Sequence, residues 1–211
     1  MIHRDLLLKM IEEITMVIGA NKQYLTDLDQ TIGDGDHGIN MDRGFRAIKD
    51  KVEAVKDKDC GTILKTVAMG LISTVGGASG PLYGTAFMKA GQVVANKMEI
   101  TAEDAVKILD EAIQGIIARG KAAQGDKTML DALIPAYDAL KAAVEEGEPL
   151  TNAMGKAVEA AEGGVAYTKT IAAKKGRANY LGDRSIGHQD PGATSSYLML
   201  KAIYDVLTRE A

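Results

Sequence analysis

Three aspartates, Asp29, Asp34 and Asp36, fall within eight residues and run directly into His37, Gly38 and Asn40. Carboxylates this close repel one another unless a cation lies among them. A set of oxygen donors with no cysteine suits Mg²⁺ or Mn²⁺. Gly33, Gly35 and Gly38 let the chain turn tightly enough to aim several carboxylates inward. Mg²⁺ is commonly held by a few carboxylates plus substrate phosphates, so the loop reads as a site for a phosphate-bearing ligand bridged by metal. An exposed turn whose aspartates cap helices would use the same residues, and the loop alone does not separate the two. His37 has three readings: neighbour of a phosphate, general base, or satisfied structural histidine. Ligand contact is favoured.

Two further segments complement the acidic loop. Val75-Gly76-Gly77-Ala78-Ser79-Gly80-Pro81 places small residues at the start of a helix. Backbone N–H groups there make an anion site, because helix N-termini carry unpaired donors and partial positive charge. Ser79 adds a hydroxyl, and close packing of small residues is the alternative. Lys174 to Pro191 is a long Gly-rich loop holding Lys174, Lys175, Arg177 and Arg184. Structureless loops beyond about 12–15 residues are usually functional or disordered. Arg177 suits clamping a phosphate or stacking on a base, and Asp190-Pro191-Gly192 opens the last helix as a cap. In the shorter loop Gly125-Asp126-Lys127-Thr128-Met129, Met129 is either a soft apolar wall for a base or core.

Three superficial motif matches fail. Gly33 to Gly38 has G-x-G-x-x-G spacing, but a helical segment precedes it and two aspartates sit inside. A carboxylate about 4 Å from a phosphate charge costs roughly 4 kcal/mol at an effective dielectric of about 20, so such a loop cannot hold a bare pyrophosphate. Gly115 to Ala122 approaches a P-loop, but Ala122 lacks the hydroxyl that Mg²⁺ needs. Read as a calcium loop, Asp34-Gly35-Asp36 would need a bidentate Glu where Phe45 stands.

The elements that position these loops read as helices. Leu6, Met10, Ile11, Ile14 and Ile18 repeat at three and four. After a turn-like Asn21-Lys22, helical character resumes through Leu28. Further helices are expected from about Gly38 to Val55, from Thr62 to Ser73, and onward from Pro81 in a first turn. Thr101 to Asp104 resembles a capping box, opening a helix that stops at Gly120. Another helix is expected from near Asp126 to before Gly147, kinked at Pro135. The last two are expected over Asn152 to Ala173, capped by Thr151, and from Gly192 to Thr208. The expectation is eight helices and no convincing strand, in a single domain spanning 1–211.

Composition agrees. The 211 residues carry 25 Lys+Arg against 29 Asp+Glu, a net charge of −4, which argues against nucleic-acid binding by bulk charge. Aromatics are only 4%, which disfavours an all-β sandwich. One cysteine, Cys60, excludes an internal disulfide or a cysteine-based zinc site. No stretch reads as a signal peptide or membrane span, so a cytoplasmic location is expected. From the residues alone the chain is an all-helical, Mg²⁺-dependent binder of a phosphorylated ligand, a nucleotide above all.

At these motifs the chain resembles the nucleotide-binding L subunits of bacterial dihydroxyacetone kinase. The match runs through Leu28-Asp29, Gly33 to Gly38, Gly76 to Thr85, Gly125 to Asp131, Lys175 to Gly182 and Gly187 to Ala193. The resemblance implies an eight-helix antiparallel barrel with ADP and two Mg²⁺ in the inter-helix loops at one end. Asp29, Asp34 and Asp36 would hold both metals. His37, Gly38, Ile39, Asn40, Ala78, Ser79, Gly120, Met129 and Arg177 would line the nucleotide, and Asp190-Pro191-Gly192 would close over it. His37 and Arg177 would serve the phosphoryl transfer. A phosphohistidine of an M subunit would phosphorylate the bound ADP, and the ATP formed would phosphorylate dihydroxyacetone held covalently by a K subunit. An ATP-dependent kinase for dihydroxyacetone or another short ketose, with exchanging ATP, is the alternative. The resemblance also admits a transcription regulator as partner and a homodimer.

Overall fold

The computed structural model describes residues 1–210. Nine α-helices follow one another: α1 (Arg4–Ala20), α2 (Lys22–Ile32), α3 (His37–Glu53), α4 (Cys60–Thr74), α5 (Ser79–Val93), α6 (Ala102–Gly120), α7 (Leu130–Glu145), α8 (Leu150–Thr168) and α9 (Pro191–Arg209). A 3-10 segment spans Arg177–Ser185 and is broken by a kink at Gly182 (φ 53°, ψ −129°). Two-residue strands β1 (Ile2–His3) and β2 (Glu99–Ile100) pair antiparallel, Ile2 opposite Ile100. They are too short to leave an alternating pattern in the sequence.

The all-helical class and the eight-membered barrel both hold. From α3 to α9 each helix packs on the next, α9 packs on α1, and α1 closes the circle on α3. The ninth helix, α2, lies outside this ring against α3 and α9. It is separated from α1 at Asn21, whose backbone N–H and side-chain amide both donate to the Val17 carbonyl. N-termini of α3, α5, α7 and α9 and C-termini of α2, α4 and α6 line one cleft, so neighbours in the ring run in opposite directions.

Local chemistry explains most boundaries. Thr101 and Asp104 form a full capping box for α6, and Lys97 pairs with the Asp104 carboxylate at 2.6 Å. The left-handed residue ending α6 is Lys121 (φ 52°), not Gly120. Asp59 caps α4 through the Thr62 N–H. Helix α7 begins at Leu130, four residues after the expected start. Asp131 accepts from the N–H groups of Gly125 and Thr128, and this holds the preceding loop out of the helix. Helix α8 starts after Pro149 with no side-chain cap, so Thr151 is not its cap. It ends at Thr168 rather than Ala173, because the Lys127 ammonium takes the Thr168 carbonyl.

The core runs around the ring. Ile18, Leu25, Met41, Ile48, Ile63, Leu71 and Leu130 are fully buried. Phe45 and Phe87 meet edge to face, with centroids 6.4 Å apart. An apolar cavity of about 190 Å³ remains inside, lined from α1, α5, α6, α7 and α9. Small residues let helix backbones touch. Gly164 of α8 lies on the Asp131 carbonyl of α7, whose i+4 residue is Pro135 and so has no N–H to offer it. A Cβ at 164 would overlap that carbonyl. Gly164→Ala should therefore cost about 1–3 kcal/mol, read as a lower urea midpoint with an unchanged slope.

Candidate functional site

The cleft at the end of the ring has a volume of about 480 Å³. Four helix N-termini face it: His37 of α3, Ser79 of α5, Met129 just before α7, and Pro191 of α9. Each such end carries about half a positive charge, and its first-turn N–H groups have no acceptors within the helix. Ala78, which precedes α5, offers no capping side chain. Those donors are therefore available to an anion.

The carboxylates gather around the start of α3. Asp29, in the last turn of α2, is buried. Its Oδ2 accepts from the N–H groups of Asp36 (2.9 Å) and His37 (3.1 Å), so it caps α3 from another helix. This fixes the loop that carries Asp34 and Asp36. One oxygen from each of the three aspartates lies within 4.8 Å of the others. Arg177, at the start of the 3-10 segment, forms an ion pair with Asp34 across the cleft, its Nε 2.7 Å from Oδ2. The oxygen-only donor set, one carboxylate braced by backbone, fits a hard divalent cation.

His37 is buried and bonded on both ring nitrogens, Nδ1 with Ser79 Oγ at 3.0 Å and Nε2 with Ser195 Oγ at 2.9 Å. Burial lowers its pKa to about 4, against the opposing pull of Asp29 and Asp36. The imidazole is neutral at physiological pH. Behind it, Tyr83 OH meets Ser195 Oγ (2.7 Å) and Ser196 Oγ (2.8 Å) and bonds the Gly192 carbonyl. Burial pushes the Tyr83 phenol up to about 12. A polar chain thus runs from Ser79 in the cleft through His37 and Ser195 to Tyr83 in the ring.

Asp190 caps α9 through the Ala193 N–H at 2.7 Å. Burial, with Asp131 and Asp29 adding to it, raises its pKa to about 7, while the Ala193 N–H and Lys127 pull the other way.

Nearly all the residues singled out in the sequence come together here. Asp29, Asp34, Asp36, His37, Asn40, Ala78, Ser79, Gly120, Met129, Arg177, Asp190, Pro191 and Gly192 all line the cleft. Gly38 and Ile39 do not. Gly38 is buried where α2 crosses α3, and a Cβ there would overlap the Lys22 carbonyl. Ile39 is 44% exposed, because the helical turn carries it outward. Asn40 is held by Arg43 at 2.6 Å and packs against Gly76. Arg119, Lys127 and Thr128 also line the cleft; the last two lie within the Gly125 to Asp131 motif, but the sequence assigns none of the three a role. The left-handed backbone at Lys127 (φ 61°) carries no signal in the residue type.

Comparison with known proteins places these features in context. Residues 31–205 match the model of the DAK2 domain. The chain is 46% identical over 187 residues to the ADP-binding subunit DhaL of a PEP-dependent dihydroxyacetone kinase from Escherichia coli, covering 89% of each. It is 43% identical over 200 residues to the corresponding subunit of kinase 1 of Listeria innocua, covering 95% of each. Among solved structures, the dihydroxyacetone kinase of C. freundii superposes with a TM-score of 0.73 at 25% identity over 95% of this chain. This chain spans about a third (34%) of that larger one.

Asp190 gives a pH test. Its carboxyl titrates near the ordinary value of 3.8 when unfolded and at about 7 when folded. Between these values the folded state holds a proton that the unfolded state has lost, so stability falls as pH rises. Asp190→Asn keeps the cap and removes the titration. The stability of the wild type relative to that variant should drop by a few kcal/mol between about pH 4 and pH 7, measured by urea denaturation across that range. A difference that is flat with pH would show that Asp190 is ionised throughout.

Proposed function

The chain belongs to the DAK2 domain family, and from that premise we propose that it is the ADP-binding phosphotransfer subunit of a phosphoenolpyruvate-dependent dihydroxyacetone kinase. The relatives from E. coli and L. innocua bear that description and match along almost their whole length. The observation that carries the reading is the meeting of opposite charges in one cleft: four helix N-termini converge on it, and a cluster of three carboxylates stands at the start of one of them, α3. A ligand that satisfies both is a polyanion carrying divalent metal, as Mg-ADP is.

In this reading Asp29, Asp34 and Asp36 hold the metal. Three carboxylates and a diphosphate together carry more negative charge than one divalent ion offsets, which favours two Mg²⁺. Bound there, Mg²⁺ would neutralise charge on the transferring phosphoryl group. Ser79 and the first turn of α5 donate to phosphate oxygens. His37, fixed on both ring nitrogens, orients Ser79. Arg177, paired with Asp34 in this structure, would be free to turn to a phosphate where Asp34 holds metal. Met129 and Gly120 wall the base, and Asp190-Pro191-Gly192 closes the far side. Phosphoryl transfer asks mainly for positioning and charge neutralisation, and these residues supply both. The cavity inside the ring is lined almost wholly by apolar side chains and suits no sugar. The phosphoryl group would arrive from a phosphohistidine subunit and leave to dihydroxyacetone on another, in the cytoplasm.

Two measurements test this. Purified and dialysed protein should release about one ADP and about two Mg²⁺ per chain, by acid release with chromatography and metal analysis. Empty protein that binds Mg-ATP reversibly would favour an ATP-dependent kinase, and protein that binds no nucleotide with Mg²⁺ would overturn the reading. Asp34→Ala should keep the helical circular dichroism and lose nucleotide affinity by at least about tenfold, the worth of one charge-assisted contact. Unchanged affinity would remove Asp34 from the metal site.

A further inference from the structure

We propose that Lys127 is a positioning residue, whose buried ammonium hangs the Arg177 arm and the start of α9 over the nucleotide cleft without touching the nucleotide itself. The inference rests on the reading of the cleft as an Mg-ADP site.

Lys127 is 1% exposed, the largest charged side chain so enclosed. Its Nζ donates to three backbone carbonyls: Thr168 at 2.6 Å, Ser185 at 2.6 Å and Ile171 at 3.2 Å. An ammonium has three protons and all are spoken for, so none is left for a phosphate. Thr168 is the last residue of α8 and Ser185 the last of the 3-10 helix. Carbonyls at helix ends lack intrahelical donors and carry partial negative charge. One cation therefore supplies the missing donor to two helix ends at once and ties them together.

What hangs from those ends is the cleft's third wall. The 3-10 helix begins with Arg177, which reaches across to Asp34. Ser185 Oγ accepts from the Ala173 N–H and donates to the Gly182 carbonyl, so it ties the residue at which the segment kinks, on whose far side Arg177 lies, to the loop after α8. Thr168 Oγ1 accepts from the Asp190 N–H at 3.1 Å, which seats the residue that caps α9. Gly187 N–H bonds the Lys169 carbonyl, and Lys174 N–H bonds the Asp126 carbonyl next to Lys127 itself. The left-handed backbone at Lys127 (φ 61°) aims the side chain inward and is uncommon for a residue with a Cβ. Such strain persists where surrounding bonds hold it.

The test is a double-mutant cycle on Mg-ADP affinity in the full chain, with amide exchange as a second readout. Wild-type protein must first bind Mg-ADP, and failure there refutes the nucleotide reading rather than the role of Lys127. Lys127→Met keeps the apolar stem and removes the donors. It should stay helical, lose affinity by about tenfold or more, and speed exchange at the Ala173, Lys174 and Gly187 amides. In an Arg177→Ala background the same change should cost much less, because the arm it positions has already lost its working end. Lys127→Arg should not rescue, since a planar guanidinium spreads its N–H groups over three nitrogens and cannot send three of them from one atom to three converging carbonyls. Where Lys127→Met does not fold, Lys127→Gln carries the same cycle. Full additivity with Arg177→Ala, rescue by arginine, or unchanged exchange in that loop would each overturn the assignment.

Discussion

The constraint on which the rest depends is the alternating direction of helices around a closed ring. Eight helices in a circle, each reversing its predecessor, must gather like ends together. Here α3, α5, α7 and α9 bring their N-termini to one cleft. Each contributes about 0.3–1 kcal/mol toward a nearby negative charge at the surface, and up to about 2 in partly buried geometry. No single end is a strong anion site. Convergence of four such ends is set by topology rather than by a dedicated phosphate loop; side chains already cap α3 and α9, and α5 keeps its first-turn donors open.

Concentrated positive ends explain where an anion sits but not why acids stand beside it. Asp29 resolves this by doing two things. Its Oδ2 completes the N-terminus of α3, which gives α3 a cap that its own N-cap residue Asp36 does not provide. The same residue joins Asp34 and Asp36 in the acidic cluster. One carboxylate therefore couples the folding of α2 onto α3 to the acidic cluster. Gly33 and Gly38 are the price of that coupling, since a Cβ at either would strike Asp29 or the Lys22 carbonyl. Glycines that look like a phosphate-binding signature are here mostly a consequence of two helices crossing closely.

Legibility in the sequence follows the range of the interactions. Asp29, Asp34 and Asp36 are readable because clustered like charges are costly without a reason. Gly76 to Pro81 is readable because small residues before a helix leave its N–H groups open. Asp190-Pro191-Gly192 is readable as a cap by residue type. Each depends on neighbours within a few positions. The misplaced features depend on residues outside the local pattern. The end of α8 at Thr168 is set by Lys127, 41 residues earlier. The late start of α7 is set by Asp131 acting back on Gly125 and Thr128. Ile39, placed by resemblance on the nucleotide, turns outward because the helix period allows residues 37 and 40, but not 39, to face the cleft.

Polar groups buried behind the cleft follow one rule. Among the described residues, no buried side-chain nitrogen or oxygen lacks a hydrogen-bond partner. His37, Ser195, Tyr83 and Ser196 satisfy one another, and Lys127 is satisfied by carbonyls alone. An incompletely paired network in a low-dielectric setting would cost more than an apolar core. Full pairing turns the same groups into a rigid frame with fixed donor directions. A protein whose chemistry is positioning gains from this. The side chains that face the cleft, Asp34, Ser79 and Arg177 among them, are mounted on a frame that has no alternative partners to drift toward.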